Sequence, residues 1–525
     1  MKIILTAIFI ILAYINYRHL NIGFLSLYSI DEYAFHGSLL NMYDGLVSFD
    51  IKKLFSFGFY SYGFGFFFLN LLAVAPFIAT DNIEMTIYIP RVITSVFAVG
   101  SVYLIYKIAR QNTDKYSSVL IAFIVLSMPG FWRNAFWFHP DWMMVFFIVL
   151  SVYFFTKDKF NYKRYFWWAI VSLGFAIATK IQAITFLPFV FVYIFYENFQ
   201  YKNFNNIIVN LKLFLKSFVS LLAIFVVTNP YLIHPSGLKA FIAMFISNMK
   251  SNATNHGAGG TVTINDKISN AIDYYYLDAF LFFGLFLLSI IVLFSILNKD
   301  SKKSIFPLIS LYFILNIIYM FFMVNKEWQH YYLAIFTLIP LILIYLINKF
   351  DKYKYIVLGG AILIQISSHI PEYKTVFMQG YHPEKSMSIA EQLQISDNLI
   401  NILKPYVDNN TNILISSYQP FDFRSIGLSY KNIHGIYGPL AKHSINLKAF
   451  IDKSNSKDSS KFKEKEFVVL SKKDIYFNQK KLEQRVDQDG YKKALDIISN
   501  FNNDGNLGYE KFKETKYFYI WRKKK

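Results

Sequence analysis

Cysteine is absent from this chain, which excludes a disulfide scaffold, a thiolate zinc site, an iron–sulfur cluster and a cysteine nucleophile. Charge is scarce as well. Asp, Glu, Lys and Arg make up 17% of the residues, against about 25% in an average soluble protein. A water-soluble globule of 525 residues would need a more polar surface. No internal repeat is present, and the only biased tract is a Lys/Ser/Asp patch at 452–465, read as a loop. What the chain has instead is apolar residues: 55% of the total, with 56 Phe and 39 Tyr and a mean hydropathy of +0.34. They fall in long runs, so the solvent is lipid.

A membrane span takes about 20 mostly apolar residues. Such stretches lie near 3–17, 61–79, 91–109, 117–134, 141–156, 165–180, 183–198, 211–228, 276–298, 304–324, 331–348 and 354–370. The first begins like a signal peptide, with Lys2 before Ile3, but it lacks a small-residue cleavage site and is read as an uncleaved helix. Basic residues then set the orientation. If 61–79 lies in the interface and does not span, 17 of the 27 Lys and Arg in residues 1–370 fall in short inner loops. If it spans, those clusters all lie outside. Ser61, Tyr62, Gly63, Gly65 and Asn70 also make it a poor lipid-facing span. The expectation is eleven transmembrane helices over 1–370, with the N-terminus cytoplasmic. The outer segments are then 18–90, 132–141, 229–275 and 325–331.

Net charge is +19, yet its distribution speaks for membrane topology and against nucleic acid. Residues 371–525 carry 26 Lys/Arg and 18 Asp/Glu, a balance that suits anionic head groups. Strand-like runs at Asn412–Ser417, Phe467–Ser471 and Tyr517–Trp521 make this tail a small extracytoplasmic α/β domain.

The outer segments hold the candidate chemistry. In Ser29-Ile30-Asp31-Glu32, Ser29 and Glu32 have capping-box spacing. Asp31 then sits in a first helical turn, where the positive helix end favours its ionised form, the form a general base needs. Both acids also suit a plain helix start. Arg91 opens an apolar helix after Pro90. A cation at such depth costs about 2.5–3.5 kcal/mol on insertion scales and calls for a partner such as a phosphate, or for snorkelling to the interface. His139-Pro140-Asp141 begins another helix, and a metal there would need a third ligand that the neighbouring sequence does not supply. Lys180 follows Thr179 at the end of an apolar run. The long outer loop adds His234 and His256, the latter before Gly257-Ala258-Gly259-Gly260, which lacks phosphate-loop spacing. Lys326, His330 and Tyr331 occupy the last outer turn. Each outer turn thus carries an acid, a cation or a histidine beside the membrane. A lipid-linked phosphate substrate needs that mixture.

In the order of these features the chain resembles the membrane glycosyltransferases of GT-C fold, in particular the branch of protein O-mannosyltransferases and lipid A aminoarabinose transferases. The resemblance covers about residues 1–370: one helix, Asp31-Glu32 opening a juxtamembrane helix, the amphipathic helix 61–79, Arg91 to Ser95, Pro140-Asp141, Thr179-Lys180, and Lys326 with His330-Tyr331. The sequence departs from the family at Ser61-Tyr62-Gly63, where Pro-Pro before Tyr is common. It departs again at Arg91-Val92-Ile93-Thr94 and at Thr179-Lys180-Ile181-Gln182.

The resemblance implies a bacterial inner-membrane enzyme, and the placement of basic residues puts its C-terminal domain on the periplasmic side. It would take a sugar from a polyprenyl-phosphate donor and pass it, with inversion, to a glycolipid such as lipid A, a polysaccharide or a protein. It also implies Asp31 as catalytic base with Glu32 behind it. Arg91, Lys180 and Lys326 would bind the donor phosphate, with His139, Asp141, His234, His256, His330 and Tyr331 lining the site. No cofactor is required, since these cations can neutralise the phosphate, although a divalent metal is compatible. Two other readings stay open, a polysaccharide polymerase or ligase and a transporter of lipid-linked sugars. The transporter would put charges at helix centres, and these are almost free of them.

Overall fold

A computed structural model describes residues 1–18, 31–80, 82–135, 137–201, 206–254, 262–275, 279–298, 303–326, 329–374, 389–415, 421–428, 432–435, 466–472 and 509–524. By internal contacts the chain forms two compact units. One holds Met1–Asn16, Ser38–Ala253 and Val262–Val376; the other holds Tyr17–Gly37, Thr254–Thr261 and Phe377–Lys525.

The larger unit is helical. It contains α1 (Lys2–Arg18, to Asn16), most of α2 (Asp31–Val47), α3 (Ile51–Phe55), α4 (Phe64–Ala79), α5 (Ile83–Arg110), α6 (Lys115–Leu126) and α7 (Pro129–Ala135). There follow α8 (Asp141–Asp158), α9 (Arg164–Thr179), α10 (Leu187–Ile194), α11 (Tyr196–Tyr201), α12 (Ile207–Thr228), α13 (Pro235–Thr254) and α14 (Ile264–Tyr275). The series closes with α15 (Ala279–Phe294), α16 (Phe306–Ile318), α17 (Leu333–Leu338), α18 (Leu343–Ile347), α19 (Lys354–Ser368) and α20 (Ile370–Lys374).

Helices α5, α8, α9 and α12 pack side by side. Gly174 lets α12 approach α9 so closely that a Cβ there would lie 2.8 Å from the Ile224 side chain. Without a hydrophobic force between helices in lipid, small residues of this kind permit the packing that holds them. At the turn from α8 to α9, Lys159, Phe160 and Tyr162 take positive φ. Asp158 offsets that strain by accepting from the amides of Tyr162, Lys163 and Phe166 and from the Tyr193 hydroxyl.

Large apolar side chains also face outward, among them Val209, Leu215, Val219 and Leu222 on α12 and Phe283, Leu287 and Ile291 on α15. Apolar faces this extensive belong against lipid tails, and the chain is a multi-pass membrane protein. Among the described residues four helical stretches are long and apolar enough to cross a bilayer: Met85–Arg110, Ile207–Thr228, Phe306–Met323 and Gln329–Ile347. A fifth arises if α6 and α7, bent by 67°, count as one. Several apolar runs that looked continuous are divided here. Residues Ile181–Phe186 form a 3₁₀ turn before α10, and Tyr319–Met323 form a π-helical turn after α16.

The smaller unit carries α21 (Ile389–Leu403) and a five-stranded sheet of order β2-β1-β3-β5-β4. Its strands are β1 (Ile413–Ile415), β2 (Ile433–Gly435), β3 (Phe467–Ser471), β4 (Tyr509–Glu514) and β5 (Phe518–Lys523). The β2, β1 and β3 strands run parallel, while β5 and β4 are antiparallel to their neighbours. The continuous apolar run Phe467–Leu470 is buried, as a strand covered on both faces must be. Strand β4 lies at the edge and carries Glu510, Lys511 and Lys513 with a register break between the lysines. Charge and bulge both discourage pairing with another chain.

Candidate functional site

Four short segments of the larger unit converge at the C-terminal end of α9. Tyr62 forms an isolated antiparallel bridge with Lys180, and the Gly63 amide donates to the Thr179 carbonyl at 2.8 Å. A Cβ on Gly63 would fall 1.4 Å from the Ala178 carbonyl oxygen, so only glycine fits there. The next amide, that of Phe64, donates to Asn229 Oδ1 at 2.9 Å. The Asn229-Pro230 turn thereby closes the start of α4, a structural role.

Held extended between α9 and the following 3₁₀ turn, Lys180 points its ammonium at Asp141. Nζ lies 2.5 Å from Oδ1. On the other carboxylate oxygen, Oδ2 is 2.7 Å from His139 Nδ1. Asp141 occupies the first turn of α8, where the helix dipole favours an anion. Around this pair the rings close in. Trp137 stacks on His139 with centroids 4.5 Å apart, and His330 meets both rings at an angle. Tyr62 contacts His139 edge-on.

The 329–332 turn completes the group. Gln182 Nε2 donates to the Tyr331 carbonyl at 3.0 Å. Both Lys180 and Lys326 stand over the Tyr331 ring, at 5.1 and 5.7 Å from its centroid. Behind the turn, Asn134 and Gln329 exchange amide hydrogen bonds of 2.8 and 3.2 Å. The Tyr275 hydroxyl donates to the Gln329 carbonyl at 2.8 Å.

Of the residues singled out by sequence, the fold therefore brings together His139, Asp141, Lys180, Lys326, His330 and Tyr331. Arg91 is buried on α5, one turn before Ser95, whose hydroxyl donates to the Ala135 carbonyl at 2.7 Å. His234 is exposed, and its Nδ1 accepts from the Ser236 amide at the start of α13. Asp31 opens α2, with its side chain outside the described residues, while Glu32 on the same turn is buried. His256 and Ser29 lie outside the described residues. Tyr62, Trp137 and Gln182 were not read as site residues. For Tyr62 the signal was present in the polar break Ser61-Tyr62-Gly63, which read only as a poor span.

Chemically, the cluster offers one carboxylate answered by an ammonium, a second ammonium close by, and two imidazoles in a nearly dry aromatic shell. Residues 68–234 match the model of the family described as dolichyl-phosphate-mannose-protein mannosyltransferase. The whole chain is similar in structure to ArnT from Cupriavidus metallidurans bound to undecaprenyl phosphate. That likeness has a TM-score of 0.60 at 10% identity, covering 99% of this chain and 97% of that one. The apo state of the same protein gives a TM-score of 0.55 at 9% identity over the same shares. The Archaeoglobus fulgidus oligosaccharyltransferase in its apo form gives 0.52 at 14% identity, covering 93% of this chain and 72% of that one. No curated protein matches by sequence. These likenesses give the chain the GT-C fold of membrane glycosyltransferases, and the family match covers residues 68–234, about a third of its length.

Proposed function

We propose that this protein moves a sugar from a polyprenyl phosphate to a hydroxyl or phosphate group of an envelope glycolipid, polysaccharide or protein. The reaction takes place at the outer face of the bacterial inner membrane. Eleven spans, a cytoplasmic N-terminus and a periplasmic C-terminal domain complete the proposed topology, which rests on the placement of Lys and Arg in short loops. The single observation that carries the reading is the meeting of Lys180, Lys326 and Tyr331 beside Asp141 within a GT-C fold.

Asp31 removes the proton from the acceptor hydroxyl as its oxygen attacks the anomeric carbon. The bond from that carbon to the phosphate oxygen breaks, the configuration inverts, and polyprenyl phosphate leaves as a monoester. Arg91, Lys180 and Lys326 stabilise the charge that grows on the leaving phosphate, which lowers the barrier more in a dry site than in water.

The test is transfer from a radiolabelled polyprenyl-phosphate sugar in membranes bearing the wild-type protein or Asp31→Asn. A general base contributes about 10²–10⁴-fold, so the variant loses transfer while its membrane level and unfolding temperature hold. Normal turnover in that variant overturns the mechanism. Mass spectrometry of envelope glycolipids and glycoproteins from a strain lacking the gene identifies sugar and acceptor together.

A further inference from the structure

We propose that His139, Asp141 and His330 bind one divalent transition-metal ion. The three residues come from two turns far apart in sequence, and one candidate donor atom from each lies within 4.8 Å of the others. All three are buried. Two imidazoles and a carboxylate form a donor set suited to zinc, with manganese or ferrous iron as weaker competitors by the usual affinity order. Zinc holds imidazole nitrogen and carboxylate oxygen at about 2.0–2.2 Å. Tetrahedral donors then stand about 3.3–3.6 Å apart, so side-chain turns of about an ångström close the set.

The surroundings favour that closure. Asp141 divides its two oxygens, with Oδ1 on Lys180 and Oδ2 on His139. One carboxylate can therefore bridge an ammonium and an ion. The Trp137 ring, parallel to His139 within 10° and edge-on to His330, fixes the plane of the first imidazole and limits the second. Three protein ligands leave at least one coordination position open, as in zinc sites that bind substrate and unlike closed structural sites. On the transferase reading above, the ligand of suitable charge for that position is an oxygen of the donor phosphate. Metal binding itself does not depend on that reading.

The experiment uses the full chain, without a polyhistidine tag, purified in detergent and stripped with a chelator. It is titrated with Zn²⁺ by calorimetry, and the Zn²⁺ form is examined by X-ray absorption. One Zn²⁺ per chain with scattering from two imidazoles is expected. His330→Gln leaves the Asp141–Lys180 pair in place and should weaken binding at least about tenfold, since even residues behind the ligands cost 10–100-fold. Absence of stoichiometric binding, a metal shell without imidazole scattering, or equal affinity in His330→Gln overturns the proposal. Should that variant fail to fold, the imidazole count in the wild-type protein decides alone. Loss of sugar transfer is not used as the readout, so failure of the transferase reading and failure of the metal site are distinguishable.

Discussion

The ammonium of Lys180 and the carboxylate of Asp141 meet at 2.5 Å, with side chains 6% and 0% exposed. Neither charge has water to fall back on. Removing one partner from such a pair strands the other, at a cost of about 3–5 kcal/mol, whereas replacing both by neutral groups is often close to neutral. Asp141→Asn and Lys180→Met should each lower the thermal unfolding midpoint strongly, and Asp141→Asn/Lys180→Met should recover most of the loss. The comparison is read from tryptophan fluorescence during heating in detergent. A double variant whose loss equals the sum of the single losses would show that the two residues act independently.

Two glycines two positions apart give a sharp contrast. Gly63→Ala drives a methyl group into the Ala178 carbonyl and breaks the bridge that presents Lys180. Overpacking of this kind costs about 1–3 kcal/mol or more, and both folded yield and sugar transfer should fall. At Gly65, inside α4, a Cβ meets nothing within 4 Å. There Gly65→Ala should be neutral or stabilising by up to about 1 kcal/mol, because alanine is the better helix former. Equal behaviour of the two variants in expression and unfolding assays would refute the role given to the 61–63 segment.

Gln329 holds the 329–332 turn in place without itself being a site residue. Gln329→Leu removes the amide exchange with Asn134, leaving the buried Asn134 Oδ1 without that donor at a cost of about 1–3 kcal/mol. The neighbouring His330 and Tyr331 then lose their register. Misplacement by about 1 Å can cost about 10²-fold in rate, so kcat should fall much further than the folded fraction does. Steady-state transfer rates normalised to folded protein check this. An unchanged kcat would detach the turn from catalysis.

The C-terminal sheet shows what local pattern can and cannot reveal. Strands β1, β3 and β5 fall within or beside the apolar runs NILISS, FVVLS and YFYIW. Strands β2 and β4 carried no such signal. The first is three residues long, and the second is a charged edge strand with a broken register. In the helical unit, hydropathy marks apolar stretches but not the 3₁₀ and π turns that divide them, because those breaks arise from packing against neighbours.

The candidate site divides along the same line. The pair His139–Asp141 is local, two residues apart in sequence, and its proximity could be read directly. Its continuation was invisible: Lys180 on one carboxylate oxygen and His330 within 4.8 Å of the pair.

Composition, hydropathy and the spacing of basic residues were enough to determine a lipid-embedded helical chain with a mixed α/β tail and reactive side chains at helix ends. These properties depend on short-range periodicity and on transfer free energy, which each segment carries by itself. Tertiary structure alone decided that Tyr62 supports Lys180, that Asp141 answers it, and that His330 joins His139 against Trp137. Such meetings depend on how helices distant in the chain pack, and no local run of residues encodes a distance across the bundle.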